Sequence, residues 1–182
     1  TSEFAIEGTP AIDALRDMEE NFPEAGNVAT APGVNLVFAA PEGERLDSPE
    51  HMAAMDATVG YIRDHLGVEG ERFGNPVKVN DELQRMIIGQ MSEMGMPKER
   101  AEADAYQLRM LSDDARIAYT TFEFDAESSM SVDQADRDVV DQAMDIGRDA
   151  GLQVEAGGAG FGEPIAIKTT SEMVGLAVAF LV

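Results

Sequence analysis

The chain is predicted to fold as an α+β sandwich of order βαββαβ, and three observations carry that prediction. Short runs of β-formers at 34–40, 116–125 and 152–156, with a brief Val77-Lys78-Val79 between the first two, supply four strands. Two long stretches of helical spacing lie between them. A methionine-rich pair of helical patterns, about residues 80–111, reads as a hairpin inserted into the main fold. With that insertion set aside, the order resembles a ferredoxin-like split βαβ sandwich, a mostly antiparallel sheet covered on one face by two helices. The other face is expected to meet solvent or a partner.

Thr9-Pro10 opens the first helical pattern as N-cap and first-turn proline, with Ile12, Leu15, Met18 and Phe22 on one side and Pro23 as its stop. Residues 34–40 (VNLVFAA) form a continuous apolar run closed by Pro41-Glu42-Gly43, which suits a strand buried on both faces. Ser48-Pro49-Glu50 repeats the cap signature, and Met52, Met55, Val59, Ile62 and Leu66 recur at three- and four-residue steps up to Gly67. Asn80 is the expected cap of the next helix, which runs through Met94 with Leu83, Met86, Ile87, Gln90, Met91 and Met94 in register. Pro97 opens its partner towards Leu111, with Ala101, Ala105, Leu108 and Leu111 as the apolar line. In 116–125, Ile117, Tyr119 and Thr121 face one way and Ala118, Thr120, Phe122 and Phe124 the other; alternation does not say which set faces the helices. Ser131 is the expected cap of a helix whose stripe is Val132, Ala135, Val139, Ala143, Ile146 and Ala150, ended by Gly151. After the strand at 152–156, Gly157, Gly158, Gly160 and Gly162 form a candidate hinge.

Every residue of 173–182 is apolar or glycine. As a helix the run covers about 15 Å, half of a hydrocarbon core about 30 Å thick. Residues 171–182 therefore read as the start of a transmembrane helix capped by Ser171, and 1–170 as the domain outside the membrane. A buried strand or core helix is the other reading of the same run.

With 182 residues, 44% of them hydrophobic, one main domain is expected. Thirty-five acidic against 13 basic residues give a formal charge of -22, which repels a phosphate backbone and sets nucleic acid aside as a partner. So few basic residues beside the apolar run place the domain on the non-cytoplasmic side. The chain has no cysteine, hence no disulfide and no thiolate metal site.

Candidates for chemistry are few. His51 and His65 sit on one predicted helix about 21 Å apart, too far to share a metal ion, and both are expected to be solvated. Acidic pairs such as Asp113-Asp114 and Glu19-Glu20 are expected to be solvated as well. The glycines at 157–162 lack the Lys-Ser/Thr ending of a phosphate loop and run into Glu163-Pro164. Packing is the expected account of Met86, Met91, Met94 and Met96. No catalytic residue, metal or cofactor is expected, and the chain is not read as an enzyme.

Several segments, taken in order, resemble one family. Phe4-Ala5-Ile6-Glu7-Gly8-Thr9-Pro10-Ala11, continuing to Asn21-Phe22-Pro23, is similar to the stretch after the first transmembrane helix of MMPL-type transporters of the RND superfamily. Leu36-Val37-Phe38-Ala39-Ala40-Pro41-Glu42-Gly43 is similar to their first porter strand. Leu111-Ser112-Asp113-Asp114-Ala115-Arg116-Ile117-Ala118-Tyr119 resembles their S-x-D-G-R-x-A strand start, with alanine at 115 in place of glycine. Residues 150–158, then Ser171-Glu172-Met173-Val174-Gly175-Leu176, resemble the end of the first porter subdomain and the start of the second transmembrane helix. The insertion is similar to that of corynebacterial and related actinobacterial members.

The resemblance implies a proton-driven plasma-membrane exporter of lipids or other hydrophobic molecules, with a mycolate glycolipid as the expected cargo. This chain would be an extracytoplasmic porter subdomain whose partners are a second porter subdomain and the transmembrane helices of the same protein. The proton-relay residues of the family fall outside it. Multidrug efflux and a membrane-tethered binding or assembly module without transport are the rival readings.

Overall fold

The structure is a computed structural model that describes residues 33–158. The expected helix at 9–22, Gly160, Gly162 and the apolar run at 171–182 lie outside the described residues. Strand β1 (Gly33–Ala39) leads through a turn to helix α1 (Pro49–Leu66), and helices α2 (Pro76–Glu93) and α3 (Lys98–Gln107) form a hairpin. Strand β2 (Ile117–Glu123), a short 3-10 turn (Ser129–Ser131), helix α4 (Gln134–Asp149) and strand β3 (Gln153–Gly157) complete the order. The three strands form an antiparallel sheet in the order β2-β1-β3.

The apolar run at the centre of the sheet places Val34, Leu36 and Phe38 on one face, where they pair with Phe122, Thr120 and Ala118 of β2. On the other side, Leu36 and Phe38 pair with Ala156 and Val154 of β3. This face packs against Ala54, Met55, Val59 and Ile62 of α1 and Val140, Ala143 and Met144 of α4. Phe122 and Phe124 belong to this core and stack edge-on with centroids 5.5 Å apart, while Phe73 meets Phe122 at 5.3 Å.

The opposite face is not bare, contrary to expectation. Val37, Ala39, Ile117 and Tyr119 gather there with Met110 in a second buried cluster, and Val79 and Leu83 of α2 pack on it. The inserted hairpin is thus the second layer of the fold.

The strand expected at Val77-Lys78-Val79 is the first turn of α2. Asn75 caps that turn, its side chain accepting from Val77 N–H at 3.1 Å, and Pro76 stands at the first helical position. A cap and a proline together outweigh the β-preference of two valines. Asn80, expected as the cap, instead accepts from Met110 N–H at 2.8 Å and ties the hairpin's return to its start. Helix α3 stops at Gln107, short of Leu111, which bridges to Ala118.

Helix α4 starts after Asp133, not Ser131, and its buried line is Val140, Ala143, Met144 and Gly147. Ala135 and Ala150 are exposed. The helix is rolled towards α1 and β3 because Gly147 admits close contact: a Cβ there would lie 2.7 Å from Val154 Cγ2 and 2.9 Å from Thr58 Oγ1. Gly151, at φ +98, then closes the helix as expected, with Leu152 N–H bonding Gly147 O at 3.1 Å and Gly151 N–H bonding Arg148 O at 3.0 Å.

Gly147→Ala is expected to destabilise the fold by about 1–3 kcal/mol through overpacking. Val154→Ala should cost less in the Gly147→Ala background than in the natural chain in a denaturation experiment, and no loss in the single Gly147 variant would refute the contact.

Candidate functional site

Helix α2 is 18 residues long, about 27 Å from end to end. Its first two turns rest on the sheet through Val79 and Leu83. The same stripe then continues beyond the sheet, where Met86 is 49% exposed and Met94 83%. Past Pro76, no residue of α2 is fully buried. Its partner α3 is held by the buried Ala101 and Ala105 and by Gln84 Nε2 donating to Ala105 O at 2.6 Å. The pair forms an arm with an apolar, methionine-bearing face. Packing does not account for Met86 and Met94.

The arm ends in a tight reversal. Met96 N–H bonds Met91 O at 3.0 Å and Gly95 N–H bonds Ser92 O at 3.0 Å, with Gly95 at φ +88. This is a Schellman cap, and it sets Met96 back beside Met91 on the last turn.

Where the arm meets the body, Arg72 Nη2 donates to Tyr119 Oη at 2.6 Å and to Leu108 O at 3.1 Å. Burial raises the Tyr119 hydroxyl's pKa, and the adjacent guanidinium opposes the shift. Arg72 O also accepts from Thr121 N–H at 3.1 Å, while Met110 O accepts from Tyr119 N–H at 3.0 Å. These loops close the outer edge of β2.

On β3, Glu155 is 2% exposed, beside Val37 on the second face of the sheet. Arg148 Nη2 lies 3.4 Å from Glu155 Oε1, and the same guanidinium donates through Nε and Nη2 to Val154 O at 3.1 and 2.8 Å. One side chain thus caps the β3 edge and faces a buried carboxylate. Sequence reasoning missed this pair. Its signal was a glutamate at an inward position of an alternating strand, seven residues after an arginine in the last turn of the preceding helix.

The two histidines remain separate. His51 is buried, not solvated, at 4% exposure, with Nε2 2.8 Å from Glu44 Oε1. His65 is exposed as expected and stacks on Tyr61 at 3.9 Å. Among the described residues no group of three His, Cys, Asp or Glu could hold a metal ion. Of the hinge candidates, Gly157 lies in the ladder opposite Asn35. Gly158, at φ +105, passes so close to β1 that a Cβ would lie 2.7 Å from Gly33 O.

Ahead of β2, Ser112 Oγ donates to Asp114 Oδ1 at 2.7 Å and accepts from Ile117 N–H at 3.0 Å, while Arg116 N–H donates to Asp114 Oδ1 at 3.1 Å. Ala115 sits at φ +56, the left-handed region that favours glycine. Its carbonyl accepts from Leu46 N–H at 2.7 Å. The position where the resemblance expects glycine is therefore one whose backbone has a physical use for it. The model of the MMPL family matches residues 3–182.

The chain belongs to the MMPL family.

Family membership makes it part of an RND-type membrane exporter, in a family of transporters and not of enzymes. No curated protein and no solved structure matches the chain. Among the described residues no helix is long and apolar enough to cross a membrane.

Two predictions concern the turn before β2 of this MMPL domain. Ala115→Gly should change stability by less than about 1 kcal/mol, because relief of left-handed strain offsets added chain entropy. Ala115→Val should cost clearly more, and equal melting temperatures would contradict the backbone assignment. The Ser112 hydroxyl, aided by the Arg116 N–H, holds the Asp114 carboxyl below its ordinary value of 3.8. A depressed carboxylate stabilises the fold above that unfolded value and loses its contribution as pH falls through the folded one. The melting-temperature gap between the natural chain and Asp114→Ala should therefore narrow below pH 3.8; a constant gap would exclude the linkage.

Proposed function

We propose that residues 1–170 form an extracytoplasmic porter subdomain of a proton-driven exporter and that 171–182 begin its second transmembrane helix. Membership of the MMPL family is the observation that carries this reading. The scarcity of basic residues next to 171–182 supports the non-cytoplasmic side of the plasma membrane. A ferredoxin-like body with one edge strand replaced by irregular chain is the fold we assign. Support comes from α1 and α4 sharing one face and from β1 lying between the two outer strands.

The cargo is a lipid or another hydrophobic molecule, with a mycolate glycolipid as the specific candidate. Its route passes the arm face that carries Met86, which offers a greasy, adaptable surface on a chain whose charge is otherwise strongly acidic. The second porter subdomain and the transmembrane helices of the parent protein complete the path, a design in which repeated halves flank a passage. The pivot against the membrane segment is assigned to the glycines at Gly157, Gly158, Gly160 and Gly162.

The test is an export assay in a strain lacking the gene and complemented with the complete transporter. Met86→Asp is expected to lower export of the lipid severalfold with protein levels unchanged. Normal export by that variant would remove the arm face from the path. Complementation that restores drug resistance without restoring lipid export would favour multidrug efflux, and restoration of neither would overturn the transport reading.

A further inference from the structure

We propose that the tip of the α2–α3 arm is a thioether site for a soft monovalent cation, Cu(I) or Ag(I), formed by Met91, Met94 and Met96. Soft, polarisable thioethers select such ions over Mg(II), Ca(II) or Zn(II). Four kinds of observation converge on the site. The three methionines fall within six residues, spaced M-x-x-M-x-M. The helix sets Met91 and Met94 one turn apart on neighbouring positions, and the Schellman cap brings Met96 back to Met91 through the 3.0 Å bond of their backbones.

Exposure is the third observation. Met55, Met110 and Met144 are fully buried in the cores, whereas Met94 is 83% exposed and Met91 and Met96 are half-buried. The arm methionines are therefore open to a ligand. Fourth, the site sits at the C-terminal end of an 18-residue helix, where the backbone dipole favours a cation, and the last turn of α2 holds no basic residue to fill that role. Binding requires these three flexible thioethers to meet at one ion. The cation binds without electron transfer, as a +1 ion held by three neutral donors.

The experiment titrates the full chain with silver nitrate in chloride-free buffer, followed by calorimetry and by the methyl resonances of labelled methionine. One equivalent is expected to bind, moving the Met91, Met94 and Met96 methyls while Met86 and Met130 stay in place. The M91L/M94L/M96L variant should lose at least tenfold in affinity with an unchanged circular dichroism spectrum, and Cu(I) under anaerobic conditions should compete with Ag(I). If the triple variant unfolds, Met94→Leu alone, at an exposed position, must still weaken binding. Absence of binding, binding unaffected by these substitutions, or shifts at other methionines would each overturn the proposal.

Discussion

Burial of β1 on both faces is the constraint from which the rest of the structure follows. Among the described residues, both outer strands form their ladders on β1, so the sheet is built around this run. Its even positions demand the α1 and α4 layer, and its odd positions, Val37 and Ala39, demand a second cover. In a chain of this charge the second cover has to be assembled from the few apolar stripes available. Helix α2 supplies it. The arm is therefore anchored to the body by the same strand that organises the main core.

Much of this was legible from residue order. Pro49 after Ser48 at the N-cap position marked the start of α1, the apolar run marked β1, and alternation marked β2 and its two faces. The failures have local causes. Val77 and Val79 have the composition of a strand, but Asn75 and Pro76 had already committed the backbone to a helix. The phase of α4 was misjudged because Gly147, a residue with no side chain to count, sets the closest contact of the helix. His51 was expected in water as an ordinary helix histidine; the fold buries it and sets Glu44 against its ring.

The site was less legible than the fold. A methionine stripe at helical spacing has the same pattern whether it is covered or open, and only the length of α2 beyond the sheet shows that part of it is open. Glu155 with Arg148 depends on the guanidinium reaching round a sheet edge, which no periodicity records. The two edges are finished differently as a result. Among the described residues, that of β2 receives main-chain bonds from two loops and that of β3 receives the Arg148 guanidinium. Ala115 is the reverse case: the MMPL resemblance flagged it as a departure, and its left-handed backbone explains why glycine suits the position.

The start of β1 and the end of β3 lie side by side, with Asn35 opposite Gly157 and Gly158 against Gly33. Tension that separated the two adjoining chain segments would load the ladder between these strands one rung at a time, opening it like a zipper and not resisting in shear. This geometry is mechanically weak against splaying and indifferent to a common displacement. The β1–β3 ladder is consequently better matched to a common displacement of its two ends than to their separation.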